Sequence, residues 1–109
     1  PDGALSALIL DPQIEDMFRR SLRDIASGQG GALDPEEVRR VGVALERAVA
    51  RQVAAGRPAV LVTSPDLRRY VRAFAERRCP QLAVLSFREV EASTTIRPVE
   101  TVRAQGATA

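Results

Sequence analysis

Leu5 to Leu10 is a short apolar run interleaved with small residues, and it predicts a first strand. Asp11-Pro12 then opens a helix. Aspartate can cap free backbone N–H groups, and proline at the first helical position gives up no hydrogen bond it needs. Ile14, Met17, Phe18, Leu22 and Ile25 recur at three- and four-residue spacings, the mark of one helical face, with Arg19, Arg20 and Arg23 on other faces. Gly28 is a natural stop. After a glycine-rich loop at 29–33, Asp34-Pro35-Glu36-Glu37 repeats the start signal, with Glu37 placed for a capping box. Val38, Val41, Leu45, Val49 and Val53 form the apolar stripe of a second helix, with Arg39, Arg40, Glu46, Arg47 and Arg51 on its wet side and Gly56 at its end.

A strand–helix–strand unit follows, from Pro58 to Val90. Ala59 to Thr63 is the strand. Ser64-Pro65 is read as the cap of a third helix that turns Leu67, Val71, Phe74 and Ala75 inward, and Cys79-Pro80 stops it. Leu82 to Phe87 is the next strand and 89–94 a polar connector. Thr95 to Val102 alternates loosely around Pro98, which suits an edge strand. The fold class is therefore α/β: a small mixed sheet of three to four strands with three helices, in the order β-α-α-β-α-β-β. The short loop between the first two helices predicts an antiparallel pair, so the first strand should oppose the second. A single helix joins the second and third strands, which should be parallel. One domain spans 1–109, with 1–4 and 103–109 expected to be flexible.

Composition narrows the functional classes. Aromatics make up only 4% of the chain, so aliphatic side chains must build the core. The 16 basic residues are all arginine and outweigh 14 acidic ones by too little to argue for nucleic acid. Cys79 is the single cysteine and has no partner for an internal disulfide, which fits a reducing compartment. Apolar runs such as Ala59 to Val62 are far shorter than the ~20 residues of a membrane span. The chain begins at Pro1, as expected of a piece of a longer protein.

Candidate chemistry is sparse. There is no histidine, which removes the usual general base and imidazole metal ligand. Ser64 after a strand lacks the flanking glycines of a nucleophile elbow and is followed by Pro65. The same turn is a poor phosphate cradle: Pro65 removes an N–H, Asp66 adds negative charge, and no glycine allows close approach. The acids at 11, 15, 16, 36 and 37 sit in first helical turns, where they favour the helix dipole. No catalytic, cofactor-binding or metal residue is assigned. The third helix carries Arg68, Arg69, Arg72, Arg77 and Arg78 against Asp66 and Glu76. Its candidate recognition face comprises Arg68, Arg69, Tyr70 and Arg72, together with Phe87, Arg88 and Glu89 at the end of the following strand.

Two stretches carry a family resemblance: Pro58 to Arg72, PAVLVTSPDLRRYVR, and Pro80 to Val90, PQLAVLSFREV. Leu10-Asp11-Pro12 with Glu15 adds to them. Together they resemble the FHIPEP family, the large export-gate protein of flagellar and type III secretion systems, over roughly Leu5 to Val102. The resemblance implies the last subdomain of a C-terminal cytosolic region, in the cytoplasmic part of a bacterial inner-membrane protein. It implies neighbouring subunits in a nonameric ring, chaperone–substrate complexes and other export-apparatus proteins as partners, and a part in ordering protein export. No cofactor, nucleic acid or direct membrane insertion of this segment is implied. The chain contains no asparagine, which separates it from the self-cleaving companion switch protein. A purely structural subdomain of the same ring and a small-ligand or nucleotide-binding α/β domain are the other classes in view.

Overall fold

A computed structural model of the chain describes residues 4–28, 34–90 and 94–103. The glycine-rich loop at 29–33 lies outside them, as do residues 1–3, 104–109 and the middle of the 89–94 connector. The elements are β1 (Ala4–Leu10), α1 (Pro12–Ala26), α2 (Pro35–Ala54), β2 (Val60–Thr63), α3 (Arg68–Glu76), β3 (Ala83–Ser86) and β4 (Thr95–Val102). The α/β class and this order agree with the sequence pattern. Both proline-led starts hold: Asp11 accepts from the Gln13 N–H at 3.1 Å and Asp34 from the Glu36 N–H at 3.0 Å. Gly28 and Gly56 close α1 and α2 at φ +79° and +78°, a region where a Cβ is strained.

The four strands lie in the order β3-β2-β1-β4, and every pair is parallel. The sheet is thus parallel rather than mixed, and β1 runs with β2, not against it. The reason lies in the helices. Gln13, Ile14 and Met17 from the first half of α1, with Arg20 just past its midpoint, share a cavity with Glu37, Arg40 and Val41 from the first half of α2. An antiparallel hairpin would put the start of one helix beside the end of the other. Both helices therefore lead away from the C-terminal edge of the sheet, and α2 delivers the chain to the start of β2.

Ala4 is paired with Thr95, so the sheet begins within the stretch expected to be flexible. β4 is an edge strand as the proline suggested. Its register to β1 shifts between Ala7↔Pro98 and Leu8↔Glu100, so Val99 is an extra residue beside the proline, a bulge.

Leu8, Leu61 and Val84 lie side by side in three strands and belong to one core cluster. All three helices feed it: Ile14, Met17 and Phe18 from α1, Val41, Leu45, Ala48 and Val49 from α2, and Val71 and Ala75 from α3, with Leu67 just before it. Phe18, only 1% exposed, holds the edges of two further rings, Tyr70 at 5.5 Å and Phe74 at 5.3 Å between centroids. The predicted stripes lose their last residues, since Ile25 is 51% and Val53 54% exposed. From Val38 to Val53 the apolar spacing exceeds 3.6, so the stripe rotates by about 60° around α2. Gln52 takes the inner position instead. It accepts from Arg57 Nε at 2.7 Å and donates to Glu100 Oε1 at 3.4 Å.

Ser64 does not cap α3. The helix begins at Arg68 after a turn closed by the Leu67 N–H on the Ser64 carbonyl, and no side chain caps it. The Ser64 hydroxyl and N–H are given to Glu15 of α1 at 3.1 and 3.3 Å, and Thr63 Oγ1 donates to the same carboxylate at 2.9 Å. One acid thus receives three hydrogen bonds from the end of β2. Four residues on, Arg19 donates to Asp66 at 2.9 Å.

Three measurements follow from these contacts. Glu15→Ala strands the fully buried Thr63 hydroxyl and should cost about 2–4 kcal/mol, lowering the thermal midpoint by roughly 10–20 °C; Glu15→Gln, which keeps an acceptor, should lose less than half of that. A loss below about 1 kcal/mol for the alanine variant would remove the acid from this role.

Gly56→Ala, at positive φ, should destabilise by about 1 kcal/mol. Gly42→Ala should stay within about 1 kcal/mol of the parent in the same denaturant titration. Its new Cβ meets the guanidinium end of Arg78, whose nearest atom is 2.5 Å away, so the gain from removing a helical glycine is offset by the displacement of that side chain.

Asp66 is held below the usual carboxylate range by its hydrogen bond from Arg19, Glu100 by Arg51, and Glu89 by the Ser86 N–H with Arg68 beside it. A carboxylate whose pKa is lower when folded adds stability above its unfolded pKa near 4 and loses it as pH falls through the folded value. Stability should therefore be level from pH 7 to about 5 and fall below about pH 4. Glu100→Gln should cost more at pH 7 than at pH 3, as read by urea midpoints.

Candidate functional site

The arginine-rich helix is short and strongly two-sided. Leu67, Val71 and Ala75 are buried to 1% exposure or less, which turns Arg69, Arg72, Ala73 and Glu76 outward. The seven residues of the candidate face fall into three groups. Arg68 and Glu89 are brought together: Nε lies 2.7 Å from the carboxylate, tying α3 to the turn after β3. Glu89 Oε1 also accepts from the Ser86 N–H at 2.8 Å, and the Glu89 N–H donates to Ser86 Oγ at 3.2 Å, so that turn closes on itself. Arg69, Arg72, Arg88 and Phe87 are exposed, and among the described residues none of the three arginines has an ion pair. Tyr70 points the other way. It is half-buried against Phe18, with its hydroxyl 2.8 Å from Ser21 Oγ.

A second surface of α3 was not singled out from the sequence. Tyr70, Ala73, Phe74, Arg77 and Arg78 face Val38 of α2 across an open groove of about 540 Å³. Arg78 is fixed there three ways. Its guanidinium carbon stands 5.3 Å from the Phe74 ring centroid, Nη1 lies 3.7 Å from Glu46, and its end occupies the space a side chain at Gly42 would need. A glycine in the middle of the second apolar stripe was the available signal, because such a position often marks a close approach.

The cavity between α1 and α2 is smaller, about 320 Å³, and carries both signs of charge. Asp16 and Glu37 stand with Arg20 and Arg40 over Ile14, Met17 and Val41. A third recess, between α2 and β4, is crossed by the Arg51–Glu100 pair.

The remaining reactive side chains are engaged structurally. Cys79 is 3% exposed, and burial raises its thiol pKa, with Glu46 adding to the rise and Arg78 opposing it. Ser64 is held by Glu15. Among the described residues no group of three or more His, Cys, Asp and Glu is placed to hold a metal ion, and no helix is long and apolar enough to cross a membrane.

Protein hrpC2 of Xanthomonas euvesicatoria is 37% identical over 97 residues, which cover 89% of this chain and 15% of that protein. The Chlamydia pneumoniae CdsV and CdsO protein complex contains a chain that superposes with a TM-score of 0.75 at 35% identity, over 92% of this chain and 29% of that one. The nonameric EscV cytosolic domain from the type III secretion system superposes at 0.64 with 29% identity, over 88% and 28%. The chain spans about 15% of the length of the curated relatives it matches. The model of the FHIPEP family matches residues 1–95, and by that match and these relatives the chain belongs to the FHIPEP family.

Proposed function

We propose that this chain is a non-catalytic cytosolic subdomain of a type III secretion export gate, and that it contributes to the docking of chaperone–substrate complexes and so to the order of export. The observation that carries this reading is the close likeness to CdsV, which has been solved together with a second protein, CdsO. The likeness to a nonameric cytosolic domain supports assembly of the parent protein into a ring, on the cytosolic side of the inner membrane. The non-catalytic reading draws on the acids: Glu15, Asp66, Glu89 and Glu100 are each spent on internal contacts.

The docking face is Arg69, Arg72 and Arg88 with the exposed ring of Phe87. The Arg68–Glu89 pair holds the two parts of that face in register, and Tyr70 supports it from beneath through Phe18. Unpaired cations beside an exposed aromatic suit an acidic partner whose contact area is partly apolar.

Charge reversal at Arg69, Arg72 and Arg88 together should weaken binding of chaperone–substrate complexes to the full-length protein by tenfold or more and flatten or reverse its salt sensitivity, because salt then screens repulsion rather than attraction. It should move the thermal midpoint of the 109-residue chain by no more than about 6–12 °C, because three exposed substitutions rarely exceed about 0.5 kcal/mol each. Binding measured by titration calorimetry that stays at the parental value would overturn the assignment of this face.

A further inference from the structure

The groove between α2 and α3 has features that the core and the arginine face do not account for. Its floor is apolar and partly aromatic: Val38, Tyr70, Ala73 and Phe74, none of them fully buried. Its lining charges are Arg77 and Arg78, and among the described residues no carboxylate lines it. Arg78 is neutralised in part by Glu46, whereas Arg77 is exposed and has no ion pair among the described residues. The groove therefore presents an apolar surface with an excess of positive charge along one wall.

Its shape limits the occupant. Both walls are helices, whose backbone groups are already paired along their length, so the groove offers no sheet edge to an extended peptide. An occupant must satisfy its own backbone, which a helix does. Along α3 the lining residues run from Tyr70 to Arg77, about 10 Å or two turns, which matches an apolar stripe at i, i+3, i+4 and i+7. The volume, about 540 Å³, is enough for two or three aliphatic side chains. We propose that this groove docks an amphipathic helix with acidic flanks supplied by another protein. The inference rests on the groove alone and stands apart from the arginine face described above.

Arg78 acts as the fixed wall. Gly42 leaves room for its guanidinium, Phe74 holds its face, and Glu46 holds its end, so little side-chain freedom is lost when a carboxylate arrives. Arg77, exposed on the same wall, supplies the second cation.

The chain carries its own reporter. It has one tyrosine and no tryptophan, and that tyrosine, Tyr70, lines the groove. The probe is a synthetic 21-residue amphipathic helix with leucine at i, i+3, i+4 and i+7, glutamate on both flanks and no aromatic residue. Its counterpart carries lysine in place of glutamate. Titrated into the 109-residue chain, the glutamate helix should change Tyr70 emission saturably, and the lysine helix should bind at least tenfold more weakly. Arg77→Glu and Ala73→Arg should each weaken the glutamate helix at least fivefold while keeping the cooperative thermal transition.

No saturable change, equal binding of the two helices, or indifference to both substitutions would overturn the proposal. So would a Tyr70 signal that depends on protein concentration alone, which would make a second copy the occupant. Protection of Ala73→Cys from alkylation in the full-length protein without any partner would assign the groove to the parent's own chain and overturn it equally.

Discussion

The Glu15 carboxylate is the constraint on which the arrangement of α1, β2 and α3 depends. It is carried on the first turn and a half of α1 and receives three hydrogen bonds from the residues that end β2. Asp11, Glu15 and Arg19 are spaced by four and form one polar line along the helix. The Asp11 N–H donates to the carbonyl of Val102 in β4, Glu15 holds Thr63 and Ser64, and Arg19 holds Asp66. The adjacent line of Ile14, Met17 and Phe18 enters the core. One helix thus fastens the end of β4, the end of β2 and the approach to α3 with polar contacts on one side and apolar contacts on the other.

The third helix relies on this fastening more than its length suggests. Nine residues without a side-chain cap would be marginal alone, because a short helix does not repay the cost of its nucleus. Its position comes from Leu67, Val71 and Ala75 in the core, from Phe18 packed against Tyr70 and Phe74, and from Arg68 on Glu89. The same contacts decide what it shows to its surroundings. Because Tyr70 is drawn toward α1 and Arg78 toward α2, the outer side is left to Arg69 and Arg72, and the side next to α2 becomes a groove with a half-covered ring.

Local chemistry was legible in the sequence, and long-range partnership was not. The two Asp-Pro starts, the glycine stops at Gly28 and Gly56, and the edge position of the strand containing Pro98 each depend on backbone rules that act within a few residues. The direction of β1 relative to β2 depends on how α1 and α2 cross, and a loop's length alone does not set that. Ser64 had every local feature of a cap, yet its partner lies 49 positions earlier in the chain. Tyr70 looked exposed because arginines flank it. A single step along a helix turns a residue by about 100°, however, and that step carries it to Phe18 and Ser21. For the candidate face, the charges at Arg69, Arg72 and Arg88 could be read directly, whereas the pairing of Arg68 with Glu89 required the turn after β3 to be in place.

The bulge in β4 bears on assembly. An unpaired strand edge invites another chain to extend the sheet, and the risk rises with local concentration. The EscV cytosolic domain that this chain resembles is nonameric. Pro98 withholds an N–H from the outer ladder and Val99 breaks its register, so β4 presents at most short runs of bonding groups on either side of them. A sheet that ends this way offers a further strand little to pair with, so close approach of another chain at this edge is left to side chains.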